Sequence, residues 1–171
     1  ARALMARRTG QLEVAAAPFE PEAWGMRIAS ADPAAASAFS KVGRDEVARA
    51  SGLLVDLTRM RDDQRERVRC TLDRATEVEI HAVGEGLRGT MYDHGWIRRV
   101  DSGRIVWEMD YDATEHAGGA TKNRAQRERL VLEPGEYEAV YETDDSHAFG
   151  DWNDPRPDDP LSWGMTVRRI D

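Results

Sequence analysis

Apolar residues recur at every second position in a series of short segments that begins at Leu53 and continues to the end of the chain. Such alternation is typical of β-strands that bury one face and expose the other. The segments lie at residues 53–57, 68–72, 78–82, 95–100, 104–110, 130–132, 137–141 and 163–169. Turn-forming groups separate them, among them Asp101-Ser102-Gly103 and Glu133-Pro134-Gly135. The pattern therefore predicts about eight strands.

No helical periodicity separates these segments, so the crossover helices that a parallel sheet requires are missing. Short strands joined by turns are typical of an antiparallel sandwich. We therefore expect an all-β domain at residues 53–171, an antiparallel β-sandwich that resembles a jelly roll. Two stretches, residues 111–127 and 143–162, are too long and too polar for simple hairpins. Long loops in a compact domain are commonly functional.

The N-terminal third contains a partial copy of the C-terminal segment. Residues 21–28, PEAWGMRI, match residues 160–167, PLSWGMTV, with Pro, Trp, Gly, Met and a β-branched residue in register. Self-similarity of this kind indicates repeated units. We interpret residues 1–30, with a short strand at 11–15, as a tail that resembles the last strand of an upstream repeat. Residues 31–52 are expected to form a short helical linker.

The unpaired strand of this tail has a further consequence. An orphan edge is a template for pairing with another chain, so the tail favours a strand-exchanged homo-oligomer.

Three segments carry a resemblance to a known class of domain. They are Val78 to Gly86, Ile97 to Trp107, and the run Leu130-Val131-Leu132-Glu133-Pro134-Gly135-Glu136-Tyr137. Their order is similar to that of pre-peptidase C-terminal and GOLD-type β-sandwich modules. The resemblance covers residues 66–142. It implies a noncatalytic accessory domain, often extracytoplasmic.

Charge narrows the range of partners. The 171 residues include 24 Lys and Arg against 32 Asp and Glu, a formal charge of −8 that repels phosphate backbones. Nucleic acid is therefore not an expected partner. No apolar run is long enough to span a membrane. Cys70 is the single cysteine, which excludes an intrachain disulfide and a cysteine-rich metal site.

Acidic residues are concentrated at 143–154. Carboxylates and amide oxygens are the ligands that calcium prefers. The candidate ligands are Asp144, Asp145, Asp151 and Asp154. The spacing does not match an EF-hand loop, and the alternative is that these side chains close turns on their own backbone.

The same loop offers a weaker catalytic candidate. Ser146 and His147, with Asp151 as the orienting carboxylate, have the residue types of a hydrolase triad. Adjacent residues rarely point at one another, however, and no Gly-x-Ser-x-Gly motif surrounds the serine. The four histidines, at positions 81, 94, 116 and 147, also lack the His-x-x-x-His spacing of a transition-metal site.

Trp152 and Asn153 are candidate binding residues, since an indole in a polar loop can stack on a sugar or anchor a protein. The alternative is that Trp152 folds back over the end of the sandwich. Lys122 and Arg124 are cationic residues in the other long loop. We expect them to pair with the acidic loop and to tie the two loops together.

These observations predict a noncatalytic accessory or interaction module of a larger protein. It would present its two long polar loops to a protein or glycan partner. Two alternatives stay open at this point. One is a small hydrolase or metal-dependent enzyme that uses residues 143–154, and the other is a purely structural module stiffened by calcium.

Overall fold

The structure is a computed structural model, and it describes residues 4–6, 12–14 and 52–170. The chain divides into two compact units, residues 1–41 and 42–171. In the first unit, β1 (Leu4–Ala6) pairs antiparallel with β2 (Leu12–Val14). Strand β2 lies within the segment predicted to be extended. The copy of the C-terminal segment at 21–28 and the helices predicted before residue 52 lie outside the described residues.

Residues 52–170 form β-strands joined by turns and loops. The strands are β3 (Leu53–Thr58), β4 (Arg65–Leu72), β5 (Thr76–Leu87), β6 (Thr90–Met91), β7 (His94–Arg99), β8 (Ile105–Glu108), β9 (Glu115–His116), β10 (Asn123–Leu132), β11 (Gly135–Glu142) and β12 (Gly164–Arg169). Two short 3-10 turns lie at Tyr111–Ala113 and Pro160–Ser162. No helix in the described part of the chain is long and apolar enough to cross a membrane.

The strands form two antiparallel sheets. Sheet I has the order β3-β12-β5-β10-β9, with β6 paired to β5, and sheet II has the order β4-β11-β7-β8. The pairs are nested, since β3 pairs with β12, β4 with β11, β5 with β10 and β7 with β8. A long hairpin rolled into two sheets in this way is a jelly roll. The predicted all-β antiparallel sandwich is confirmed.

The core lies between the two sheets and follows the period of two. In sheet I, Val78, Ile80 and Ala82 are fully buried on β5. From sheet II, Ile97 and Tyr141 are almost or entirely inaccessible to solvent. Alternate residues on one face of a strand point the same way, so the apolar alternation identified the inward positions correctly.

One boundary differs from the sequence expectation. Residues 123–127 were expected to belong to a long loop, but they form the start of β10, where Asn123 pairs with Glu85 of β5. The reason is that two inward positions of β10 are polar. Gln126 and Glu128 lie at the open edge of sheet I, where the Trp107 indole donates to Glu128 over 2.9 Å. Without apolar residues there, the segment shows no strand-like alternation.

The connections are distributed unequally between the two ends of the sandwich. One end, called the turn end here, has only the short connections 73–75, 100–104 and 133–134. The other, the loop end, has the connections 59–64, 88–93, 109–122 and 143–163. Antiparallel strands bring alternate connections to the same end, so the long loops meet at one surface.

Candidate functional site at the loop end

Hydrogen bonds join the loops of the loop end to one another. The Asp63 backbone N–H donates to the carbonyl of Asp144 over 2.7 Å, which links connections 59–64 and 143–163. The Ala120 N–H donates to the Pro155 carbonyl over 2.9 Å, which links 109–122 to the same loop. Because backbone hydrogen bonds hold connection 143–163 to a loop on each side of it, the three loops form one continuous surface.

Three carboxylates meet within this surface. Glu85 lies near the end of β5, Asp93 lies directly before β7, and Asp144 lies two residues after β11. One carboxylate oxygen from each lies within 4.8 Å of those of the other two. Among residues 52–170, this is the one group of three or more His, Cys, Asp or Glu side chains close enough to share a metal ion.

Asp93 is the deepest member of the cluster and is fully buried. Its Oδ1 accepts a hydrogen bond from the Asp144 backbone N–H and its Oδ2 accepts one from the Trp163 indole N–H, each over 2.9 Å. Burial raises the pKa of Asp93 to about 8, and the negative charges of Asp144 and Glu85 act in the same direction. An ionised carboxylate at a buried position is destabilising unless it takes up a proton or pairs with a cation.

Glu85 is also buried, with 7% of its surface exposed. The Lys122 ammonium lies 3.0 Å from its Oε1. Its Oε2 is buried and has no hydrogen-bond partner among the described residues. Burial raises the pKa of Glu85, and Lys122 opposes that shift. Half of this carboxylate is therefore left without a partner inside the protein.

His147 joins the two longest loops. It is fully buried and has a φ of 63°, in the left-handed region that few side chains adopt. Asn123 orients the ring, because its Nδ2 donates to the carbonyls of Gly118 and Pro155 and its Oδ1 must then accept. The His147 Nε2 donates to this oxygen over 2.7 Å. On the other side, Nδ1 lies 2.9 Å from Oδ1 of Asn153.

The triad candidates are not arranged as a nucleophile and its base. The ring nitrogens Nε2 and Nδ1 of His147 lie 2.7 and 2.9 Å from the side-chain oxygens of Asn123 and Asn153, and no hydrogen bond joins Ser146 to His147 within the described chain. Ser146 uses its backbone N–H to close a turn on Asp144. Asp151 is exposed and donates its N–H to the carbonyl of Ala148. Burial and the Lys122 charge lower the pKa of His147.

The four aspartates expected to bind calcium are separated. Asp144 belongs to the carboxylate cluster, while Asp145, Asp151 and Asp154 are exposed. Asp154 lies 3.9 Å from the Lys122 ammonium. The sequence alone does not identify Glu85 or Asp93 as members of this cluster, because they lie far along the chain from the acidic loop. The only local signal was the Gly84-Glu85-Gly86 segment, where a charged residue sits between glycines at the end of a buried strand.

Trp152 folds back over the end of the sandwich. Its ring packs edge-on against those of Trp163 and His147, with centroid distances of 4.9 and 5.1 Å. Edge-to-face packing at such distances is favourable. Trp152 is half-buried and covers the hydrophobic core from the loop side.

The two cations of the other long loop behave differently. The Lys122 ammonium donates to Asn153 Oδ1 over 2.7 Å, so it ties the loops together as expected. Arg124 does not contact the acidic loop. It donates to the hydroxyl and carbonyl of Thr114 and lies over the ring of Tyr111, 4.8 Å from the centroid. Asn123 is the second residue that joins the loops, through Pro155 and His147.

A cleft of about 440 Å³ opens at the loop end beside β6 and β8. His94, Glu108, Asp110 and Tyr111 are among its lining residues. His94 Nδ1 is buried and has no hydrogen-bond partner in the described part of the chain. The cleft therefore offers carboxylate acceptors, an imidazole and an aromatic ring in a volume suited to a small ligand.

The fold and the loop end together define a jelly-roll β-sandwich with a preorganised polar surface at one end. No protein-family model matches the sequence, and no curated protein matches it significantly. The resemblance to pre-peptidase C-terminal and GOLD-type modules accordingly stays a prediction.

Proposed function

We propose that this chain is a noncatalytic binding module whose loop end contacts the ligand. The observation that carries the proposal is the unequal distribution of connections, with three short turns at one end and all the long loops at the other. Rigid scaffolds that carry loops at one end commonly use those loops for recognition. The hydrogen bonds between the loops support this role, since a preorganised surface loses less entropy on binding.

The geometry around His147 favours binding over hydrolysis. A general base must reach the proton that it removes. The ring of His147 is buried, and both of its nitrogens face amides of Asn123 and Asn153. Such a histidine holds two loops in place and is poorly suited to activate Ser146.

The chemistry of the cleft favours a neutral glycan as the ligand. The carboxylates of Glu108 and Asp110 can accept hydrogen bonds from sugar hydroxyls, and the ring of Tyr111 can pack against a sugar face. The formal charge of −8 and the acidic loop at 143–154 disfavour anionic polysaccharides. The proposal agrees with the accessory role that the family resemblance implies.

A panel of neutral and acidic glycans tests the proposal. We expect the protein to bind members of the neutral set without releasing products. Glu108 is exposed on β8, so Glu108→Gln should leave the fold intact while it weakens binding by about tenfold, the effect of one charge-assisted hydrogen bond. Isothermal titration calorimetry measures the change.

The matched control is Glu133→Gln, the same substitution at an exposed position of the turn end. This variant should bind as the unaltered protein does. Equal binding by the Glu108→Gln protein would contradict a role for the cleft. Release of shortened glycans that Ser146→Ala abolishes would show that the protein is a hydrolase and not a binding module.

A further inference from the structure

The three carboxylates that meet at the loop end have one cationic partner, the Lys122 ammonium. Glu85, Asp93 and Asp144 bring an oxygen each to within 4.8 Å of one another. Asp93 is fully buried, and the Glu85 side chain is 9% exposed. Charges are almost never buried in this way unless they are paired or bind a metal.

Glu85 provides an independent indication of a ligand. Its Oε2 is buried, and no hydrogen-bond donor from residues 52–170 reaches it. An unsatisfied buried acceptor destabilises the folded state, and more strongly when it is charged. The Lys122 ammonium contacts only the other oxygen, Oε1, at 3.0 Å. The free oxygen belongs to the carboxylate that faces Asp93 and Asp144.

The balance of charge suggests the valence of the ligand. With Asp93 ionised, the three carboxylates and the Lys122 ammonium carry two net negative charges. A divalent cation would neutralise them. Carboxylate oxygens are hard donors, and calcium accepts six to eight of them in a flexible geometry that water can complete. Asp144 is half-buried, so the cluster is accessible to an ion from solvent.

We propose that Glu85, Asp93 and Asp144 bind a divalent cation of the calcium type. The three ligands come from the end of β5, the start of β7 and the loop that follows β11. A bound ion therefore fixes connections 88–93 and 143–163 to the frame of both sheets. This inference is independent of the glycan proposal, because the cluster does not line the cleft.

The inference differs from a calcium site within the acidic loop alone. Such a site would combine Asp144 with Asp145, Asp151 and Asp154, and the last three are exposed and can be solvated without an ion. Exposed carboxylates interact well with water, whereas Asp93 and Glu85 are desolvated by the fold. The two sites share Asp144, so variants at the other positions distinguish them.

Terbium luminescence provides a direct measurement. The Trp163 indole donates a hydrogen bond to Asp93, so a Tb³⁺ ion on Asp93 would lie close to an excitable tryptophan. The full chain is first treated with EDTA and desalted. We expect saturable Tb³⁺ emission on tryptophan excitation, displacement by Ca²⁺, and a stoichiometry of about one by isothermal titration calorimetry with Ca²⁺ alone.

Two variants locate the ion. Glu85→Gln preserves the shape of the side chain and should weaken Ca²⁺ binding by tenfold or more, about 1.4 kcal/mol. Asp144→Asn, at a half-buried position, should also weaken Ca²⁺ binding. It provides the test if Glu85→Gln does not fold. The matched control is the double variant Asp151→Asn and Asp154→Asn, which should bind Ca²⁺ with unchanged affinity.

The outcomes separate clearly. No saturable binding of Ca²⁺, Mg²⁺ or Mn²⁺ at millimolar concentration overturns the proposal. Loss of binding in the double control with retention in Glu85→Gln also overturns it, in favour of the acidic loop. Binding that both ligand variants weaken and the double control does not supports it. None of these results depends on whether the cleft binds a glycan.

Discussion

The indole nitrogen of Trp163 donates a hydrogen bond to Oδ2 of Asp93 over 2.9 Å, and both side chains are fully buried. Trp163 precedes the last strand of sheet I, while Asp93 precedes β7 of sheet II. The bond thus joins the two sheets where the loops begin. It also places Asp93, a member of the carboxylate cluster, against the ring of Trp163, on which Trp152 packs.

We predict that Trp163→Phe lowers the free energy of unfolding by about 2–4 kcal/mol. The substitution removes one of two donors to a buried carboxylate and shrinks a ring in the core. Urea denaturation followed by circular dichroism measures the loss. The control is Trp107→Phe, where the acceptor Glu128 is exposed and can be solvated instead. An equal loss of stability in the two variants would show that the hydrogen bond to the buried Asp93 contributes no more than the one to the exposed Glu128.

We predict that His147→Leu releases the loops without unfolding the sandwich. The substitution leaves Asn123 Oδ1 buried without its donor, and it removes a ring that packs against Trp152 and Trp163. The expected cost is about 2–4 kcal/mol. Limited proteolysis should cut within 143–162 at least tenfold faster, while the strand signal in circular dichroism is retained.

The control for this variant is His116→Gln. His116 is exposed, and its Nε2 lies 3.0 Å from the Ala120 carbonyl. Its replacement should leave the proteolysis rate unchanged. Cleavage at 143–162 that is equally slow in His147→Leu would show that Asn123 and His147 do not hold the loops together.

Stability should fall with rising pH in the presence of EDTA. The pKa of Asp93 is raised from 3.8 to about 8 by burial, with Asp144 and Glu85 adding to the shift. Between those values the unfolded chain has released the proton and the folded chain retains it. Unfolding therefore releases a proton, and a higher pH favours the unfolded state.

We expect the free energy of unfolding to decrease by about 3 kcal/mol between pH 5 and pH 8. Urea titrations at several pH values in EDTA measure this slope. Asp93→Asn removes the titrating group and should flatten it, whatever its effect on absolute stability. A slope of the same size in Asp93→Asn would assign the effect to other groups.

Lys122→Met should have opposite effects on stability and on cation affinity. The ammonium contacts Glu85 and Asn153, so its loss in EDTA leaves more unpaired negative charge and lowers stability by about 1–3 kcal/mol. The same loss frees Glu85 Oε1 for a cation. Calorimetry should show Ca²⁺ binding at least threefold tighter.

The control is Arg127→Met on the outer face of sheet I, where Arg127 pairs with Glu79 over 2.9 Å. It should leave Ca²⁺ affinity unchanged. Weaker Ca²⁺ binding in Lys122→Met would mean that the ammonium positions Glu85 rather than competes for it.

Sequence periodicity predicted the framework because burial in a sandwich has a local signature. The alternation of Val78, Ile80 and Ala82 requires no knowledge of their partners in space. The start of β10 could not be predicted in the same way. Its inward residue Glu128 accepts hydrogen bonds from Trp107 and from Gln126 at a sheet edge, and that role depends on a strand distant in sequence.

The site was only partly predictable for the same reason. Lys122 and Asn153 were identified because charged and amide residues stood out in polar loops. Glu85 and Asp93 are separated from Asp144 by more than fifty positions, and only the nested pairing of the strands brings them together. Clusters assembled from separate strand ends carry no spacing that a single sequence reveals.

The short connections of the turn end make it a suitable place to attach a label or a surface. Ser102 is exposed in a tight hairpin, and β7 separates it from Asp93 by six residues, or about 20 Å at the usual rise of a strand. A fluorophore or a surface tether attached through a cysteine at position 102 would leave the loop end unobstructed. With Cys70 replaced by alanine, the molecule immobilised through position 102 would present its loop end outward in a single orientation.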